Sequence, residues 1–439
     1  MSGLVGGHGR SSVPPRPSVR TAGSRALAPA PEAMAHNTLA NGVTVVSERI
    51  PGVRSAAIGV WVRKGAAHEA PVDHGASHLL EHMVFKGTER REAPEIAIAL
   101  EGLGGSLDAY TSREHTSYQA RVLDEHVPEA LDVLSDLVLA PLLRDDDLVL
   151  EREVVLEEIA QVDDTPDDLV FELHSDRLWK GHPYGRSILG SRESVSSMSA
   201  GQLRALHEGQ YVGSNLVVAG AGNIEHEAFF EGVGTLFGDV TRGEVGTPVA
   251  VPGPTATGVT HVPRDSAQTH VVFGASGPPH ASDDRHAVVL LSSALGGGMS
   301  SRLFQRVREE LGLCYSVFTF QSFYSAAGMT GVYVGTRPAT VDQAVSVVRE
   351  ELERVAREGL PSDELARAKQ QVKGQIMISL ESTSARLYRL ASFALHEEPY
   401  LGLDELLDKI DAVTEDDLRR VAKLYFDPSR HLEMRLGPA

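Results

Sequence analysis

The stretch VTRGEVGTPVAVPGPTATG, residues 240–258, has neither a helical nor a strand period and carries Pro248, Pro252 and Pro254. A segment of that kind is a linker, and it divides the 439-residue chain into two halves of similar length. The halves match in outline. Gly42-Val43-Thr44 opens a strand-like stretch in the first, and Gly258-Val259-Thr260 opens one in the second. An apolar strand follows in each, at residues 56–62 and 270–275. A helical stretch comes next, ending at His82-Met83 in the first half and at Gly298-Met299 in the second. One near-constant offset relates all of these pairs, which marks a duplicated unit.

The coarse order within each half is strands, a helix, strands, then several helices. In the first half, residues 105–110 and 115–122 read as strands, 128–139, 145–162 and 167–179 as amphipathic helices, and 215–219 as a strand. The second half repeats this with strands at 315–320 and 329–334 and helices at 341–358 and 362–379. Strands and helices come in blocks and do not alternate strictly. The expected fold class is therefore α+β, with two homologous domains, each a mostly antiparallel sheet with helices packed on one side. The expected division is a tail at 1–35, a first domain at 36–239, a linker at 240–257 and a second domain at 258–439.

Composition narrows the function. Hydrophobic residues make up 42% and charged residues 23%, the profile of a soluble globular protein. No run of eighteen apolar residues is present, so no membrane span is expected. With 41 Lys and Arg against 60 Asp and Glu, the formal net charge is −19. Such a chain repels phosphate backbones and attracts basic peptides, so nucleic acid is not an expected partner. The single cysteine, Cys314, excludes an internal disulfide framework and a thiolate metal cluster. Any metal must be held by nitrogen and oxygen, which directs attention to the 18 histidines. The first 35 residues carry Arg10, Arg16, Arg20 and Arg25 with no acid before Glu32. A transit peptide has that bias, but Pro14, Pro15, Pro17, Pro29 and Pro31 would interrupt its amphipathic helix. A disordered extension of a bacterial cytoplasmic protein fits better than a mitochondrial matrix protein.

The chemistry centres on DHGASHLLEHMVFKG, residues 73–87. His78 and His82 are four apart, so on a helix they project from one face and can reach one ion. Glu81 adjoins that face, where a carboxylate can take a proton from water. This is the H-x-x-E-H order, the reverse of the commoner zinc peptidase motif. A catalytic zinc site needs a third protein ligand and an open fourth position. The acidic helical segment LEREVVLEEIAQV, residues 150–162, places Glu151 and Glu158 two turns apart on one face. Either satisfies the geometry. His74 would extend the ladder but sits about 12 Å along the axis from His82, beyond the span of one ion, and reads as a helix N-terminal residue.

Motif, spacing and order resemble the pitrilysin/insulinase family of zinc metallopeptidases, especially bacterial members similar to mitochondrial processing peptidase. The resemblance extends over nearly the whole chain from Asn37 onward. It implies that His78, His82 and Glu158 bind zinc and that Glu81 is the general base. It further implies that Glu151 orients one of the ligands. At the positions equivalent to His78, Glu81 and His82 the second half has Ala294, Gly297 and Gly298, so only the first half is expected to carry metal. The second half has Arg308 and Tyr315 in VREELGLCY, matching an Arg-Tyr pair that in the family contacts substrate. The resemblance implies that Tyr315 hydrogen-bonds the tetrahedral oxyanion and that Arg308 holds a substrate carbonyl. The stretch SLDAYTS, residues 106–112, resembles the family's edge strand, which takes an extended peptide as a further strand and would use Asp108, Ala109 and Tyr110. Many relatives have Asn in place of Asp108, and the extra carboxylate suggests a bias toward basic side chains.

The expected function is a zinc-dependent endopeptidase acting on extended or unfolded peptides in an enclosed chamber, closed by a homodimer. Two alternatives share the fold: a catalytic subunit of mitochondrial processing peptidase, and a non-catalytic scaffold like the core subunits of a respiratory complex. The second usually loses ligands that this chain keeps.

Overall fold

Gly42, at a φ of 95° that favours glycine, turns the chain between β1 (Ala33–Thr38) and β2 (Thr44–Arg49). The two strands pair antiparallel from Ala33 against Arg49 to Thr38 against Thr44. The computed structural model describes residues 33–438. The tail expected at 1–35 lies outside the described residues except for its last three positions, which belong to β1. AMAHNT has no β-branched run and no alternation to announce a strand; it is one because the edge of β2 accepts it.

From β2 the first half continues through β3 (Ser55–Val62), α1 (Ala76–Val84), α2 (Ala93–Glu101), β4 (Ser106–Thr111), β5 (Thr116–Leu123), α3 (Val127–Leu139), α4 (Asp145–Asp164) and α5 (Pro166–Leu178). It closes with α6 (Arg192–Ser197), α7 (Ala200–Gln210), β6 (Leu216–Gly222) and α8 (His226–Phe237). Residues 241–257 hold neither helix nor strand. The second half runs β7 (Gly258–Pro263), β8 (Thr269–Gly277), α9 (Asp284–Gly296), β9 (Cys314–Phe323), β10 (Gly328–Thr336), α10 (Val341–Glu358), α11 (Ser362–Ser379), α12 (Thr383–Leu395), α13 (Leu403–Ala412), α14 (Glu415–Tyr425) and β11 (Leu432–Gly437). α9 stops at Gly296, two residues short of the expected end at Gly298, because the glycine run supplies a C-cap at Gly297.

The first sheet has the order β1-β2-β6-β3-β5-β4 and the second β7-β11-β8-β10-β9. Leaving out β1, the two orders are the same, and each sheet has a single parallel pair, β2 with β6 and β7 with β11. This is the expected α+β class with two related, mostly antiparallel sheets. Helices of each half cover one face of their own sheet around an apolar core. Leu79, Leu80, Met83, Leu134 and Tyr118 belong to the first core, and Leu291, Val332, Val348 and Phe426 to the second.

The opposite faces are covered by exchange. α12 of the second half lays Leu387, Leu390 and Ala391 on Val46, Trp61, Val217 and Ala219 of the first sheet. α5 of the first half lays Val170 on Val272, Tyr333 and Met434 of the second sheet, with Phe171 at its margin. Central strands are thus covered on both faces. That explains why β6 reads LVVAGAG and is buried throughout, without the alternation of a half-exposed strand. β4 and β9 end their sheets, each paired on one side only. The turns that follow them meet: Glu114 accepts from Ser325 N at 2.9 Å, from Ser325 Oγ at 3.1 Å and from the Tyr184 hydroxyl at 2.5 Å.

Candidate metal centre

α1 begins with a close backbone approach. Its N-cap Gly75 has a φ of 90°, and a Cβ there would stand 2.7 Å from the Leu189 carbonyl oxygen. The helix N-terminus is closed by the buried carboxylate of Glu69, which accepts from Gly75 N at 2.8 Å and Ser77 N at 2.7 Å. Burial lifts the Glu69 carboxyl to about 7. His74 stands before the helix and bonds through Nε2 to the Ser187 carbonyl at 2.7 Å, outside the metal cluster. Leu79, Leu80, Met83 and Val84 anchor one side of α1 in the core. His78 and His82 are left facing α4, and Glu81 faces the end of β4.

α4 answers with its two acids. The nitrogen and oxygen atoms of His78, His82 and Glu158 all lie within 4.8 Å of one another. Glu158 Oε2 is 3.6 Å from His78 Nε2 and 3.6 Å from His82 Nε2. That oxygen is buried and has no hydrogen-bond partner. A buried carboxylate oxygen facing two imidazole nitrogens, with no donor of its own, is what a cation requires and what an apolar core would not leave. The nitrogen and oxygen donor set suits zinc. Burial, with His82 alongside, lowers His78 to about 4, so it stays neutral with a free lone pair. Glu151 takes the far side of His82, its Oε2 3.1 Å from Nδ1. In a neutral imidazole that donates through Nδ1–H to Glu151, the Nε2 lone pair is the one that faces Glu158.

Glu81 is not part of the triangle. Its Oε2 accepts from Thr111 Oγ1 at 2.6 Å, at the end of β4. Burial raises its pKa, opposed by the Thr111 bond and by His82. A cleft of about 460 Å³ opens beside the cluster, lined by His78 and Glu81, by Ala109, Tyr110 and Thr111 of β4, and by Phe171 of α5. Of the expected substrate residues, Ala109 and Tyr110 therefore line the cleft. Asp108 is exposed on the same strand, with Oδ1 accepting from Ala109 N at 3.0 Å. Its charge contributes to the raised pKa of Glu81.

Arg308 and Tyr315 do not line that cleft. Arg308 sits in a π-helical turn, Phe304–Glu310, with its guanidinium 4.7 Å from the ring centres of both Phe304 and Tyr315. The β9–β10 register slips where Gly335 pairs with Ser316 and Thr336 with Cys314, leaving Tyr315 as the extra residue of a bulge. Tyr315 is 77% exposed there.

Sequence reading missed Glu69, Thr111 and Lys86, whose Nζ reaches Glu151 Oε1. Thr111 shares a face with Ala109 by strand alternation, a signal that was available. Glu69 left no local sign, since a cap supplied from six residues upstream has no fixed spacing.

Residues 44–192 match the insulinase family, peptidase family M16, and residues 197–372 match the peptidase M16 inactive domain. The second label agrees with a second half that lacks the ligands. An uncharacterized zinc protease of Streptomyces coelicolor is 38% identical over 395 residues, 88% of this chain and 86% of its own. One of Bacillus subtilis is 38% identical over 389 residues, 89% of this chain and 95% of its own. In fold, the chain is similar to a peptidase M16 inactive domain from Pseudomonas fluorescens, with TM-score 0.86 and 21% identity over 92% of this chain and 98% of that one. A protease from Helicobacter pylori gives 0.85 and 22% over 93% and 100%. With two matched sheets, a first-half cluster of two histidines and a glutamate, and these relatives, the chain belongs to the insulinase family of peptidases, M16.

Proposed function

We propose that this protein is a zinc-dependent endopeptidase that hydrolyses extended or unfolded peptides. The observation that carries the reading is the unpartnered Glu158 Oε2 held 3.6 Å from both imidazole Nε2 atoms, with Glu81 beside them. His78, His82 and Glu158 would hold a zinc ion, whose chemistry there would be Lewis acidity toward the scissile carbonyl and a lowered pKa for water. Glu81 accepts the water's proton and returns it to the leaving amine, its carboxylate held by Thr111. The free edge of β4 accepts the substrate backbone as an added strand, with Ala109 and Tyr110 at the cleft wall. Only an extended chain can do this, so folded proteins are excluded as substrates.

The remaining groups favour a homodimer. Thr111 and Glu81 lie near the turn where Glu114 meets Ser325. Tyr315 lies ten residues upstream of Ser325, about 30 Å of strand at ~3.3 Å per residue. An exposed Tyr315 with the half-buried Arg308 against it, at that separation, fits delivery to the cleft of a second copy, which would also enclose the substrate. The direct test is cleavage of a disordered peptide by wild type and by Glu81→Gln. Wild type cleaves and loses activity to a chelator; Glu81→Gln keeps its zinc and turns over ~10²–10⁴-fold more slowly. Equal rates would refute the reading.

A further inference from the structure

Lys86 comes directly after Phe85, the C-cap of α1. Both its backbone and its side chain are tied to α4. Its carbonyl accepts from Arg144 Nη2 at 2.7 Å, and Arg144 is the N-cap of α4. Gly87 follows at a φ of 135°, and a Cβ there would stand 2.9 Å from the same Arg144 nitrogen. The chain is thus drawn against α4 through a conformation that suits glycine. From this anchorage Lys86 Nζ lies 2.5 Å from Glu151 Oε1, while Glu151 Oε2 faces His82 Nδ1 at 3.1 Å. The Glu151 side chain is only 7% exposed and that of Lys86 35%, so both contacts are shielded from water on the carboxylate side.

We propose that Lys86 is a positioning residue for the metal centre: by holding one oxygen of Glu151 it commits the other to His82 Nδ1, and so fixes the orientation in which His82 Nε2 meets the ion. This rests on the zinc reading above and adds a residue that the H-x-x-E-H motif does not contain. A carboxylate with a single partner can turn about its last torsion and exchange oxygens. Pinned by a charge-assisted bond on one side, it presents a fixed acceptor on the other. The chain of contacts runs Lys86, Glu151, His82, and its two ends lie on one short segment following and including α1. α4 is the strut between them, so the loop after α1 and the ligand on α1 are set by the same acid.

The test uses full-length apoprotein titrated with zinc against a competing chelator. Lys86→Met keeps much of the stem and removes the charge. It should bind zinc ~10–100-fold more weakly, as when the group behind a metal-bound histidine is lost, with the apoprotein's melting temperature unchanged. In a Glu151→Gln background the same substitution should change affinity by less than about twofold, because its effect passes through Glu151. Lys86→Arg should recover part of the loss. Zinc held equally tightly by Lys86→Met and wild type overturns the proposal. So does an equal loss in the two backgrounds, which would make Lys86 a general structural residue. A wild-type protein that takes up no zinc overturns the zinc reading and this inference with it.

Discussion

α1 and α9 follow β3 and β8, equivalent strands of the two sheets, yet the two helices are built for different tasks. α1 carries His78 and His82 turned toward the acids of α4, with Glu81 bonded to Thr111 of β4. The chain at the end of α9 has Ala294, Gly296, Gly297 and Gly298. A Cβ on Gly296 would stand 2.5 Å from Thr319 N on β9, so the second half uses this place for close backbone packing. The helices facing them differ in the same sense. α4 carries Glu158, whereas the matching turn of α11 carries Gly374 and Gln375. A duplicated frame therefore holds a set of candidate metal ligands in one copy and a packed joint in the other, and the difference resides in about four side chains. Fold and chemistry are separable here, as in other folds that host many sites.

The edges differ too. β4 is a plain six-residue strand that ends at Thr111 beside Glu81, while β9 is ten residues long and bulged to expose Tyr315. In the proposed enzyme the first edge binds the peptide and the second presents groups to a neighbour.

The comparison breaks most completely if the first half is made like the second. His78→Ala, His82→Ala or Glu158→Gln should each remove most of the zinc and, with it, nearly all peptide cleavage, read by metal analysis and turnover of one sample. Tyr315→Phe should leave zinc in place and slow turnover by about tenfold to a thousandfold, as loss of an oxyanion donor does. If that tyrosine acts on a partner's cleft, mixing Glu81→Gln chains with Tyr315→Phe chains regenerates one intact site per mixed dimer. About a quarter of wild-type turnover should return on random pairing into twofold dimers. No recovery on mixing, or full activity in a strict monomer by light scattering, would place the pair in its own chain's site.

Exchange of α5 and α12 is open to a smaller perturbation. Leu387, 1% exposed, belongs to the second half but packs on the first sheet. Leu387→Ala should cost ~2–5 kcal/mol in denaturant unfolding. Zinc retention should fall as that loss is approached, although the residue touches no ligand.

Acid should act on the seam between the halves. His68, His115 and His396 line a small cavity there with Glu114 and Ser325. Burial lowers His68 and His115 to about 4 and His396 to about 3. In the unfolded chain they protonate near 6.5. Between those values the unfolded state binds more protons, so stability is full above pH 6.5 and declines as pH falls toward 4. A melting temperature that is flat across that window would contradict their burial in neutral form.

Much of this was legible in the sequence because it is local or periodic. The spacing of His78 and His82 reports one helical face, and the two-turn spacing of Glu151 and Glu158 reports another. The repeat offset predicted two sheets of one kind. What stayed hidden depends on contacts far apart in sequence. Nothing in residues 383–395 says that this helix covers the other half's sheet. β3 and β6 carry apolar runs that reflect cover on both faces, yet such a run does not name the covering element. The family resemblance suggested Arg308 and Tyr315 as a functional pair, but not the bulge that leaves Tyr315 exposed and outside the cleft's lining.

The most direct measurement is the zinc content of full-length wild type, together with X-ray absorption at the zinc edge. The expected result is one zinc per chain with two imidazole nitrogens and one carboxylate oxygen at about 2.0–2.2 Å, and no zinc in His78→Ala/His82→Ala. A wild-type chain that binds no zinc, or a double variant that still holds one, would contradict the assignment of the metal centre to the first half.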